Sequence, residues 1–163
     1  MGNTQGNDGS GNVEERDDWQ TPQWLFDKLD EQYKFSFDCC ATKENTKCIR
    51  FTNNFNGNAG VIHNSIVWMN PPFSKAEKIF RNFFFVIDKG IAIYRCDNLE
   101  TKLWQEIIFK HATWILIPKG RISYEGKAGK GSRFPSAIIG FNVDTPKDVE
   151  GTILIIKRNS PKP

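Results

Sequence analysis

The chain has 163 residues, 39% hydrophobic and 25% charged, with a net charge of +3. That length suits one domain with its own core, and the balance excludes a fibrous or low-complexity chain. The densest apolar stretch, residues 79–87, is interrupted by Arg81 and Asn82, so no segment is expected to span a bilayer.

Residues 1–18 carry five acids and one arginine, and after Met1 only Val13 is apolar. Such a stretch cannot offset its ordering entropy by burial, so a disordered acidic and polar tail without a secretory signal is expected. Order is expected from Trp19. Thr21 suits a helix cap and Pro22 its first position, followed by Leu25, Phe26, Leu29 and Tyr33 at helical spacing. Residues 34–41 read as a strand with Phe35, Phe37 and Cys39 on one face. A short strand is expected at 48–51, and a buried one at 65–69.

Ser74 and Glu77 have capping-box spacing ahead of a helix with Ile79, Phe80, Phe83, Phe84 and Ile87 inward, ended by Gly90. A strand at 91–94 precedes a helix at 101–111 with Leu103, Trp104, Ile107 and Ile108 inward. Strands at 114–117, 136–143 and 152–157 complete the chain. Trp68, Trp104 and Trp114 read as core, and Trp19 and Trp24 flank the Thr-Pro step, more simply as core than as cofactor contacts. Alternating strands and helices predict an α/β fold, a mostly parallel sheet with helices on both faces and an antiparallel edge. Ligands bind such sheets at the carboxyl ends of strands, where Asp38 and Asn70 fall.

The four cysteines, Cys39, Cys40, Cys48 and Cys96, lack zinc-ligand spacing and read as reduced thiols; no metal site is expected. Residues 115–163 hold nine bases and four acids, an excess that suits a polyanionic partner. Gly126 to Arg133 reads Gly-Lys-Ala-Gly-Lys-Gly-Ser-Arg, without the order of a phosphate-binding P-loop. It is either a solvated loop or a grip on DNA phosphates through Lys127, Lys130 and Arg133, with Lys119 and Arg121 alongside.

The chemistry-bearing string is Asn70-Pro71-Pro72-Phe73, between a strand and a helix. The amino nitrogen of a nucleobase is a poor nucleophile because its lone pair is shared with the ring. Two acceptors, the Asn70 side-chain oxygen and the Pro71 carbonyl, suit its two hydrogens. The prolines stiffen the loop before substrate arrives, and Phe73 suits stacking of an extruded base. A rigid turn that happens to hold an asparagine is the plain alternative.

This string resembles the signature of amino-methyltransferases, and residues 18–142 resemble the phage-type DNA N-6-adenine-methyltransferase family. The matching blocks are Asp18-Trp19-Gln20-Thr21-Pro22, Leu25-Phe26, Phe37-Asp38 with Ala41, and Asn45-Thr46-Lys47-Cys48. They continue with Asn70 to Ser74, Thr101-Lys102-Leu103-Trp104, Gly120-Arg121-Ile122 and Phe134-Pro135-Ser136-Ala137. The resemblance implies a Rossmann-like class I methyltransferase fold: a single domain over 19–158, between the tail 1–18 and a short tail 159–163. It implies transfer of a methyl group from S-adenosylmethionine to N6 of adenine in double-stranded DNA, in the cytoplasm, including that of a phage host, and favours a monomer. Asn70, Pro71, Pro72 and Phe73 would serve the target base. Thr21, Pro22, Asp38, Ala41 and Trp19 would serve the cofactor. Relatives often place Asp-Gly-Leu and a Trp before the 65–69 strand, where this chain has Asn56-Gly57-Asn58, so the holder of the adenosine half stays open. The alternatives are a methyltransferase-fold module that binds DNA or a host protein, or the same chemistry on RNA adenine or protein glutamine.

Overall fold

The computed structural model describes residues 17–55, 64–126 and 133–157. Among these residues six strands form one sheet: β1 (Phe37–Asp38), β2 (Ile66–Met69), β3 (Lys89–Arg95), β4 (Trp114–Pro118), β5 (Ser136–Phe141) and β6 (Gly151–Ile155), in the order β1-β2-β3-β5-β4-β6. β1, β2 and β3 are parallel, whereas β5 is antiparallel to both β3 and β4, and β6 is antiparallel to β4. The expectation of a mostly parallel sheet is therefore corrected. β4 runs in the same direction as β1–β3, but β5 inserts between β3 and β4, so antiparallel pairings outnumber parallel ones.

Strand alternation sends side chains to two cores. Val67, Met69, Ala92, Tyr94, Ile115 and Ile139 face α2 (Ala76–Val86) and the helix α3, a π-helical run Leu103–Ile108 continued by Phe109–His111. Trp68, Ile91, Ile93, Trp114, Leu116 and Ile138 face α1 (Gln23–Tyr33), which buries Leu25, Phe26, Leu29 and Tyr33. Helices thus cover both faces, as expected, and no helix among the described residues is long and apolar enough to cross a membrane.

Local chemistry accounts for several departures from expectation. Lys34 ends α1 in the left-handed region (φ 56°), and Asp30 Oδ1 accepts the Phe35 N–H at 2.8 Å. The chain turns there, so Phe35 joins the α1 core rather than sharing a face with Phe37 and Cys39, and the strand shrinks to Phe37–Asp38. Of the expected 48–51 strand, only a parallel bridge from Phe51 to Asp38 forms. α2 ends at Val86, before Gly90, which lies inside β3. A Cβ at Gly90 would sit 2.6 Å from Ile87 Cδ1, so its smallness serves packing rather than helix termination. The Ser74–Glu77 capping box does not form: α2 begins after a 3-10 turn (Phe73–Lys75), without a side-chain cap. Glu77 pairs instead with Arg81 and Lys102. Trp24, 53% exposed, is not core.

Candidate active site

Because β1, β2 and β3 run the same way, their carboxyl ends share one edge, and Asp38, Asn70 and Arg95 are brought to it. A cleft of about 750 Å³ opens there, lined in part by Asp17, Trp19, Thr21, Asp38, Ala41 and Asn70. That volume is in the range of small-molecule and cofactor sites.

Asn70 directly follows β2. Its Nδ2 donates to the Trp19 carbonyl at 2.7 Å and to Thr21 Oγ1 at 3.1 Å. A backbone carbonyl only accepts, so the nitrogen end of the amide is assigned by its partner. The other end, Oδ1, accepts no hydrogen bond among the described residues, and Asn70 is half-buried on the cleft wall. The amide is thus anchored by its donor with its acceptor uncommitted. Pro72 and Lys75 also line the cleft. Pro71 and Pro22 are buried and are not among the lining residues. Pro22 occupies the cap position of α1, one residue later than expected, and the Thr21 hydroxyl serves Asn70 instead of capping.

Residues 17–21, with Gln20 in an isolated bridge to Glu125, form a strap over this corner. Asp17 accepts from the Ser74 N–H at 3.1 Å and from the Ser74 hydroxyl, which explains the missing capping box. Gln20 exchanges backbone hydrogen bonds with Glu125 at 2.6 and 2.9 Å. Gly126 (φ 109°) passes so close that a Cβ would lie 2.2 Å from the Asp18 carbonyl oxygen; both conformation and approach require glycine. The sequence reading missed Asp17, and placed both Asp17 and Asp18 in the tail. The only signal was their position directly before the Trp-Gln-Thr-Pro block. Residues 1–16 lie outside the described residues.

Asp38 is 3% exposed at the end of β1. Its carboxylate accepts from the Cys40 N–H at 3.3 Å and the Lys47 N–H at 3.0 Å. Burial pushes its carboxyl above the usual range, and these two donors pull it partly back. Ala41 is buried, its N–H bonded to the Thr52 carbonyl at 2.9 Å. With Asp17, Asp18, Asp38 and Glu44 against Lys47 and Lys75, acids outnumber bases among the described residues of the cleft wall. All four cysteines are free, and burial raises their thiols, which leaves them poor nucleophiles.

Beside the cleft lies an aromatic group that sequence spacing could not assemble. Trp19 stacks on Phe73 (centroids 6.2 Å, 17°), while Tyr94 and Phe134 meet Phe73 edge-on. The Arg95 guanidinium lies over Phe73 at 5.2 Å and over Phe134 at 4.6 Å. Trp19 Nε1 is buried without a hydrogen-bond partner among the described residues. Of the basic residues expected at DNA, Lys119 pairs with Glu150 at 3.2 Å on the exposed surface. Arg121 lies within electrostatic reach of Asp97, and Arg133 is exposed. Lys127 and Lys130 lie outside the described residues.

No curated protein matches the chain. A family model described as DNA N-6-adenine-methyltransferase (Dam) matches residues 9–160, nearly the whole length. With that match added to an anchored Asn-Pro-Pro corner on a cofactor-sized cleft, the chain belongs to the DNA N-6-adenine-methyltransferase (Dam) family.

Proposed function

We propose that the protein methylates N6 of adenine in double-stranded DNA, with S-adenosylmethionine as methyl donor. The observation that carries this reading is the orientation of Asn70, its nitrogen tied to the strap and its oxygen uncommitted beside the cleft. The Rossmann-like class I reading of the fold and its extent over 19–158 belong to the same proposal. They are supported by four co-directional strands and by helices on both faces.

The residues present fit the cofactor. Asp38 is a buried carboxylate whose ionisation burial opposes, and a ligand ammonium would relieve that cost. Trp19 Nε1 is a buried donor with no acceptor among the described residues, a deficit of about 1–3 kcal/mol that a ligand acceptor would relieve. Thr21 and Ala41 complete this wall, and the excess of acids suits a ligand carrying two positive centres. When bound, S-adenosylmethionine supplies a methyl group activated by its sulfonium.

The protein's part is positioning and electrostatics. Asn70 Oδ1 accepts a hydrogen bond from one amino hydrogen of adenine, and the Pro71 carbonyl, buried in the ligand-free chain, accepts from the other once the base is seated, which draws the nitrogen toward a tetrahedral shape. Both acceptors also stabilise the positive charge that grows on that nitrogen. Neither is a base of useful strength, so the surplus proton leaves to solvent through the open cleft. Pro71 and Pro72 hold the corner stiff, and Thr21 and the Trp19 carbonyl keep the amide from flipping. Phe73 offers stacking to the extruded base.

Calorimetric titration with S-adenosylmethionine, followed by a labelled-methyl panel of duplex DNA, RNA and glutamine-bearing protein, tests this reading. The expected result is binding heat and label in DNA alone. No heat would leave a module of this fold that binds without methylating. Label in RNA or protein would move the chemistry to another acceptor.

A further inference from the structure

Arg95 is not assigned by the mechanism above, yet it occupies the surface that the mechanism needs. It ends β3, the neighbour of β2, and follows the alternation of Ile91 and Ile93, as Asn70 follows that of Trp68. Its guanidinium covers Phe73 and Phe134 at 5.2 and 4.6 Å. Asp97 holds it there through two bonds of 2.8 and 2.7 Å, and only 18% of the arginine side chain is exposed.

We propose that Arg95 is a positioning residue for the target base: its guanidinium covers the Phe73 ring until the extruded base displaces it, and then binds a DNA phosphate. This rests on the methyltransferase reading above. Physical arguments support it. A guanidinium is flat and stacks on aromatic rings much as a base does, so the ring faces it covers are ones a base can take in its place. A cation fixed at that place would oppose the positive charge growing on the amino nitrogen, so it must leave for transfer to occur. Arginine cannot leave by losing its proton, and the Asp97 bonds hold it still more firmly charged. A phosphate offers the same bidentate geometry as the Asp97 carboxylate, so the exchange conserves the hydrogen bonds. The loop that carries Asp97 also has an unrelieved cost in this conformation. Asn98 Oδ1 is buried there without a partner among the described residues.

The test is methyl transfer into plasmid DNA, with KM for DNA and kcat measured over a range of salt. Arg95→Ala is expected to raise KM about tenfold, to leave kcat within about twofold, and to lower the slope of log KM against log salt by about one unit. Arg95→Lys is expected to keep the slope, because it keeps a cation for the phosphate. If Arg95→Ala fails to fold by circular dichroism, Arg95→Gln, which still bonds Asp97, replaces it with the same expectation. Asp97→Asn is expected to lower KM in the native background and to do nothing in the Arg95→Ala background, since the latch acts only through Arg95. An unchanged slope with a fall in kcat means that Arg95 merely packs the aromatic group, and overturns the proposal. A wild-type chain that transfers no methyl overturns the methyltransferase reading as well, whereas an active one with an unchanged slope overturns Arg95 alone.

Discussion

The two halves of the sheet end differently. In the parallel half, β1 to β3 deliver three successive chain segments to one edge, where Asp38, Asn70 and Arg95 converge. In the antiparallel half, β5, β4 and β6 alternate in direction and scatter their connections between both edges. There the buried polar contacts close on themselves. Trp114 Nε1 donates to the Val143 carbonyl at 2.8 Å, and Thr113 Oγ1 donates to the Gly140 carbonyl at 3.0 Å. In the parallel half, by contrast, the Asn70 oxygen and the buried Trp19 Nε1 have no hydrogen-bond partner among the described residues, and the Asp38 carboxylate is buried on two backbone N–H groups with Lys47 within electrostatic reach. The contrast teaches that strand direction concentrates uncommitted polar groups, while antiparallel pairing consumes them.

Substitutions in the two halves should therefore separate activity from stability. The largest effect is expected from Asn70→Ala, a loss of about a thousandfold in kcat, with melting and cofactor binding little changed. Gly140→Ala belongs to the other half. Its Cβ would lie 2.0 Å from Trp114 Cε2, inside a ring locked by its own hydrogen bond, so a loss of about 3 kcal/mol in denaturant unfolding is expected. The folded fraction should keep its kcat.

Asp38→Asn is expected to weaken S-adenosylmethionine binding about a hundredfold by calorimetry. It also has a signature in pH. Burial raises Asp38 above its unfolded value, so the folded chain holds that proton more tightly. Stability of the ligand-free protein is then fullest below the ordinary carboxylate range and falls as pH rises through the raised value. Asp38→Asn should remove that fall, read as melting temperature against pH. Thr21→Val leaves Asn70 with one anchor instead of two, and about a tenfold loss in kcat is expected. The smallest effect is expected from Lys119→Ala. Its ion pair with Glu150 is largely exposed, so stability should change by less than about 0.5 kcal/mol. Methyl transfer should weaken only as far as Lys119 meets phosphate.

The sequence made the elements legible wherever periodicity was strong. The apolar faces of α1, α2 and α3 and strands β2 to β6 stand close to where spacing puts them, whereas β1 is far shorter. Asn70 and Asp38 were legible as well, because a strand end is a local feature. What was not legible depends on contacts distant along the chain. Ser74 looked like a helix cap because local spacing favours one, but Asp17, 57 residues earlier, takes both its donors. The direction of β5 is set by its pairing with β3, which no local pattern encodes. Arg95 drew no notice as a lone charge at a strand end. Its meaning comes from Phe73 and Phe134, which only the fold brings over it.

The chemical position of the transferred methyl tests the central claim most directly. Purified protein is incubated with duplex DNA and S-adenosylmethionine carrying a labelled methyl group, and the DNA is digested to nucleosides for mass spectrometry. The account predicts label in N6-methyldeoxyadenosine and in no other nucleoside. Label on cytosine, or none in DNA while the cofactor binds, would contradict it.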